Sequence, residues 1–175
     1  AGLRAALAAK CREEFGWTDE RPFLVTSGVS GGLVLAMLAL VNPGDEVVFA
    51  DPYFVMYSHL VRLAGGTPVP VDTYDDFRPD LDRFADAITD RTRLLILNSP
   101  SNPTGVVWTA QELKDLAELA GRNDLLVVSD EIYDEFCYDQ PFASMAGLYE
   151  NTLLLRGFSK TCAMTGWRLG WCTGP

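Results

Sequence analysis

The chain contains three lysines, and one of them stands in unusual company. Lys10 and Lys114 fall on the polar faces of predicted helices. Lys160 lies in the neutral, hydroxyl-rich stretch Phe158-Ser159-Lys160-Thr161-Cys162-Ala163-Met164-Thr165-Gly166-Trp167-Arg168. Desolvation there would lower the pKa of the amine and make it a nucleophile; a surface lysine laying its stem on apolar neighbours is the plain alternative. Asp130 follows the apolar run Leu125–Val128, and a carboxylate at the end of a buried strand needs a partner. A helix cap or an arginine would serve it as well as a ligand. Ser27-Gly28-Val29-Ser30-Gly31-Gly32 runs into a helix, so its backbone N–H groups and the Ser30 hydroxyl are available to a phosphate. A turn that only requires small residues reads the same way. Asp51-Pro52-Tyr53-Phe54 adds two aromatics, which core packing also explains, and Asn98-Ser99-Pro100-Ser101-Asn102-Pro103-Thr104-Gly105 adds an amide in a turn-rich loop. An anion cradle, an aromatic, an amide, a carboxylate, a phenol (Tyr133), a lysine and an arginine make the set that pyridoxal phosphate asks for.

These residues follow strands in an alternating pattern. Residues 1–15 are Ala-rich and read as a helix, and Leu33, Ala36, Met37 and Leu40 mark a second at i, i+3, i+4, i+7 spacing. Tyr57, Leu60, Val61 and Ala64 mark a third helix, ended by Gly65-Gly66, and Asp80 caps a fourth with Leu81, Phe84, Ala85 and Ile88 inward. Thr109-Ala110-Gln111-Glu112 is a capping box for a fifth, with Leu113, Leu116, Ala117 and Ala120 inward. Strands are predicted at 23–26, 46–50, 67–71, 94–97, 125–129, 152–156 and 168–173. Apolar strands alternating with helices imply an α/β domain, doubly wound, its mostly parallel sheet covered on both faces. The chain reads as one domain over 1–175, and ligands of such sheets sit beyond the carboxyl ends of the strands.

A net charge of −10, from 14 basic and 24 acidic side chains, argues against nucleic acid or an anionic membrane as a partner. The cysteines, Cys11, Cys137, Cys162 and Cys172, form no C-x-x-C pair, and with His59 the only histidine no metal site is expected. They read as free, mostly buried thiols, Cys162 as a small buried filler and His59 as a packing or surface residue. No secretory leader and no membrane-length apolar run is seen, and a cytoplasmic location is expected.

Ser101-Asn102-Pro103-Thr104-Gly105, Asp130-Glu131-Ile132-Tyr133, Phe158-Ser159-Lys160 and Met164-Thr165-Gly166-Trp167-Arg168-Leu169-Gly170 occur in an order that resembles the class I/II aminotransferases of pyridoxal-phosphate fold type I. Asn42-Pro43-Gly44-Asp45 and Asp51-Pro52-Tyr53-Phe54 match as well, so the resemblance covers nearly the whole chain. It implies an enzyme that moves an amino group between an amino acid and a 2-oxo acid, and a homodimer. Lys160 would hold the cofactor as a Schiff base and act as the general base, Asp130 would pair with the pyridinium nitrogen, and Asn102 and Tyr133 would bond the phenolate oxygen. Phe54 would stack on the ring, and Val29, Ser30 and Arg168 would bind the phosphate. A lyase of the same fold shares the lysine, aspartate and tyrosine, and an effector-binding domain of a transcription regulator shares the fold; both stay open. Gly157 stands where many relatives carry a phosphate-binding serine. Family members are about twice as long, so the resemblance also implies a large domain lacking its N-terminal arm and C-terminal small domain. The Asp51–Pro52 and Asn102–Pro103 bonds are expected to be cis.

Overall fold

Apolar runs of β length separated by amphipathic segments can bury both faces of a sheet only if helices cover each side. The computed structural model describes residues 2–175 and has that arrangement. In chain order the elements are α1 (Gly2–Phe15), β1 (Phe23–Thr26), α2 (Gly28–Leu40), β2 (Glu46–Asp51), α3 (Met56–Leu63) and β3 (Thr67–Asp72). Then come α4 (Leu81–Ala87), β4 (Thr92–Asn98), α5 (Ala110–Arg122), β5 (Leu126–Asp130), β6 (Thr152–Gly157) and β7 (Gly170–Thr173). Short 3₁₀ turns lie at Met145–Gly147 and Thr165–Trp167. The strands form one sheet in the order β1-β7-β6-β5-β4-β2-β3. Neighbours from β3 to β6 are parallel, while β7 runs antiparallel to both β6 and β1.

The two-residue period of the strands divides the core. Val47, Phe49, Leu94, Ile96, Val128, Leu155 and Cys172 pack against Leu33 and Met37 of α2 and Tyr57, Leu60 and Val61 of α3. On the opposite face Val48, Leu95, Leu97 and Val127 meet Phe84 of α4 and Leu113, Leu116 and Ala120 of α5. Leu154 and Trp171 on that same face meet Leu7 and Cys11 of α1. Thr109 closes the capping box of α5, accepting from the Glu112 N–H while Glu112 accepts from the Thr109 N–H. Asp80 caps α4, accepting from the Asp82 and Arg83 N–H groups.

Several expectations need correction. α4 is only seven residues long, and Leu81 and Ala85 are exposed. A helix of two turns touches the sheet at one point, and Phe84, fully buried, takes it. The last strand begins at Gly170 rather than 168, because Thr165–Trp167 forms the 3₁₀ turn and Arg168 turns left-handed at φ 50°. Cys162 is exposed and Cys137 half-buried, so only Cys11 and Cys172 are buried thiols; all four are free. His59 is exposed. α2 is apolar all round, and Leu35 and Leu38 on its outer side are 49% and 57% exposed.

Candidate active site

Parallel strands end together at one edge of the sheet, and the residues that continue each strand's alternation are delivered there. Asn98, at the end of β4, keeps the face of Leu94 and Ile96; Asp130, at the end of β5, keeps the face of Val128. The Asn98 side-chain amide donates to the Asp130 carbonyl (2.9 Å) and its oxygen accepts from the Asn102 N–H (2.8 Å). One side chain thus ties two strand ends to the 99–106 loop. That loop contains cis bonds at Ser99–Pro100 and Asn102–Pro103, and Asp51–Pro52 is the third cis bond; Ser99–Pro100 was not anticipated.

The eight residues singled out in the sequence, Val29, Ser30, Phe54, Asn102, Asp130, Tyr133, Lys160 and Arg168, line one cavity of about 210 Å³. Asn98, Ser159 and Thr165 line it too. Its most telling member is Asp130, 3% exposed. Neither a helix cap nor an arginine serves it. Its carboxylate accepts from the Tyr57 hydroxyl (2.8 Å) and the Ile132 N–H (3.3 Å). Burial pushes the Asp130 carboxyl from 3.8 up to about 6, and the bonds from Tyr57 and Ile132 only partly oppose that. Burial and the adjacent Asp130 hold the Tyr57 hydroxyl well above its ordinary range, so it remains a donor. Tyr57 carries out a polar task from a helix stripe that otherwise reads as core. The signal was a hydroxyl on an apolar face, which must find a partner when buried.

A second wall comes from the start of α2. Ser27 makes no side-chain cap, and the first-turn N–H groups of a helix have no partner within it. β7 approaches this turn so closely that a Cβ on Gly170 would lie 2.5 Å from the Gly28 carbonyl carbon and 2.8 Å from the Val29 nitrogen. Gly28 has φ +68°, and a Cβ there would lie 2.6 Å from Nη2 of Arg168. The guanidinium therefore rests against the amide end of α2, with Nη1 donating to the Thr165 carbonyl (2.9 Å). Gly170 makes room for the first turn of α2 and Gly28 for the arginine beside it, a cationic pair of features suited to an anion.

Lys160 differs from expectation. It is exposed, its Nζ 5.7 Å from the centre of the Tyr133 ring, so the desolvation anticipated from its neutral neighbours is not there. The turn after β6 lifts it to the rim of the cavity, where its flanking residues Thr161, Cys162 and Ala163 are exposed as well. Phe54 is half-buried and meets Tyr57 edge-on, ring centres 5.7 Å apart. Among the described residues no cluster of metal-ligating side chains occurs.

The family model described as "Aminotransferase class I and II" matches residues 1–175. The chain is 44% identical over 182 residues to the bifunctional aspartate aminotransferase and glutamate/aspartate-prephenate aminotransferase of Petunia hybrida, a match covering 99% of this chain and 38% of that protein. It is 40% identical over 182 residues to aromatic-amino-acid aminotransferase 2 of Thermococcus litoralis, covering 99% and 46% respectively. Among solved structures, the aspartate aminotransferase of Thermus thermophilus with maleate superposes with a TM-score of 0.94 at 44% identity, over 99% of this chain and 46% of that one. The chain spans less than half the length of the curated relatives it matches.

Proposed function

This chain belongs to the class I and II aminotransferases, and from that premise we propose that the protein moves an amino group between an amino acid and a 2-oxo acid at the cavity described above. The family depends on pyridoxal phosphate. When bound, that cofactor supplies a carbonyl for amines and a cationic ring that accepts the electrons left on a carbon as its proton departs. The observation that carries the proposal is Asp130: a buried carboxylate facing a cavity, given two hydrogen bonds and, among the described residues, no cation. A protonated ring nitrogen is the missing partner, and its charge would bring the carboxyl down from about 6 and keep it ionised.

The remaining roles follow from chemical type. Val29 and Ser30 bind the phosphate through backbone N–H groups and a hydroxyl, and Arg168 through its guanidinium. Gly157 contributes no hydroxyl to that end, and a Cβ there would lie 3.1 Å from Cδ1 of Ile132. Phe54 offers a ring face, and Asn102 and Tyr133 offer donors for the phenolate. Lys160 Nζ would hold the cofactor at its carbonyl carbon, the oxygen leaving as water, and when free would move the proton at the substrate's Cα. Its place at the rim, beside Tyr133, leaves it within reach of an incoming amine.

Residues 1–175 are on this proposal the cofactor-binding large domain. A cytoplasmic homodimer completes it: all four cysteines are free, no helix among the described residues is long and apolar enough to cross a membrane, and α2 presents Leu35 and Leu38 for a second copy to cover. The test is spectroscopic. Pyridoxal phosphate added to the chain should give an absorbance band that Lys160→Ala abolishes. A folded wild-type chain with no such band would sink the proposal.

A further inference from the structure

The alternation that sends Asp130 into the cavity sends its neighbour Glu131 to the opposite face, where Arg156 of β6 is waiting. Arg156 is 4% exposed. Its Nε and Nη2 donate to one oxygen of Glu131 (3.0 and 2.8 Å), and Nη1 and Nη2 donate to the two oxygens of Glu14 on α1 (2.8 and 2.7 Å). Asp134 lies 3.4 Å from Nε. The other Glu131 oxygen accepts from the Ser129 hydroxyl (2.9 Å), the Ser144 hydroxyl (2.8 Å) and the Met145 N–H (3.2 Å). Phe15 and Phe142 each place a ring 5.4 Å from the guanidinium carbon. One cation is therefore saturated by three carboxylates from two chain segments, α1 and the turn after β5.

Stability alone does not account for such a cluster, because well-packed apolar residues usually replace buried ion pairs without loss. Its connections suggest another use. Glu131 follows Asp130, Asp134 follows Tyr133, and Arg156 precedes Lys160 by four residues. Asp130, Tyr133 and Lys160 are thus each attached by a short length of backbone to one arm of the cluster. The β5 end and the β6 end are also joined directly, the Glu131 N–H donating to the Leu155 carbonyl (2.9 Å). The guanidinium fork has a fixed plane, so it sets both distance and angle between the carboxylates it grips.

We propose that Arg156 is a positioning residue: from behind the sheet it fixes the Lys160 turn relative to Asp130 and Tyr133. This rests on the cofactor reading above. The test uses the whole chain and separates the two ends of the cavity. Inorganic phosphate, followed by phosphorus NMR, reports the Ser30 and Arg168 end, which the cluster does not touch. The Lys160-dependent absorbance with pyridoxal phosphate reports the end that it does. In Arg156→Met the half-saturating pyridoxal phosphate concentration should rise about tenfold or more, the scale expected when reacting groups shift by a fraction of an ångström. Phosphate affinity should stay within about twofold of wild type, and Arg156→Lys should recover only part of the loss, since a single ammonium cannot grip two carboxylates side by side. Glu14→Ala loosens the fork without leaving a buried charge unpaired, and should raise the half-saturating concentration about threefold should Arg156→Met fail to fold. A folded Arg156→Met or Glu14→Ala chain with wild-type cofactor affinity would overturn the proposal. Parallel loss of phosphate and cofactor binding would do the same, since it marks a general loosening. A wild-type chain without the band is a different result: it removes the cofactor reading first, and this one with it.

Discussion

Replacing Asp130 by asparagine should make the cofactor-free chain more stable, and only at neutral or higher pH. The carboxyl is raised from 3.8 to about 6 because burial penalises its charged form. It is fully buried, so solvent screening does not reduce the effect. A group harder to ionise in the folded chain than in the unfolded one favours folding below its unfolded pKa. That contribution is lost as pH rises from 3.8 through about 6. Above that window the ionised Asp130 costs the folded chain about 3 kcal/mol relative to a neutral group, at ~1.4 kcal/mol per pKa unit. Asparagine is neutral throughout and can still accept the Tyr57 O–H through its amide oxygen. Urea unfolding of both chains without cofactor, at about pH 4 and about pH 8, gives the comparison. The difference between Asp130→Asn and wild type should move in favour of the variant by about 2 kcal/mol between the two conditions, part of the full change lying below about pH 4. A difference that does not change with pH would refute the claim that Asp130 is a buried carboxylate without a cation. The same substitution removes the anion proposed for the ring nitrogen, so stability and function would be traded at one atom.

Tyr57→Phe deletes the hydroxyl that donates to Asp130, so the carboxyl should titrate above its present value of about 6. Carbon NMR of the aspartate carboxyls reads this, and an unchanged titration would show that the bond contributes nothing. Gly170→Ala forces a Cβ to within 2.5 Å of backbone that cannot rotate away, and should cost about 2 kcal/mol or more in urea unfolding. Thr109→Ala opens the capping box of α5 and should cost about 1 kcal/mol while leaving cofactor affinity unchanged, because Thr109 does not line the cavity.

The periodic parts of the molecule were legible because burial imposes a period. Strand residues Leu94–Leu97 and the α5 face of Leu113, Leu116, Ala117 and Ala120 pack as their spacing implies. Leu81 and Ala85 did not follow, since α4 is too short for a stripe to be used in full. At the site, residue types that follow strand ends sufficed to collect Asp130, Asn102, Lys160 and Arg168 around one cavity. Exposure was not legible: the neutral neighbours of Lys160 describe its chain segment, and solvent access depends on what packs above it. Nor was the cluster behind the sheet, where Glu14 meets Arg156 across 142 residues. No local pattern encodes such a pairing, although an arginine in an apolar strand is itself a request for a carboxylate.

Pro68 and Pro70 of β3 stand opposite Val47 and Phe49. The Thr67 N–H points inward, donating to the Asp45 carbonyl (2.8 Å). Alternation then turns the nitrogens of residues 68 and 70 outward, the two positions where proline has no hydrogen to offer. The free border of the sheet therefore lacks donors where an added strand would look for them. In a concentrated solution, a stray β segment from another molecule finds no ladder to climb at this side, so growth of the sheet from chain to chain stops here. The opposite border, β1, has no proline among its four residues and leaves Leu24 and Val25 exposed, so intermolecular strand pairing, where it occurs, should begin there.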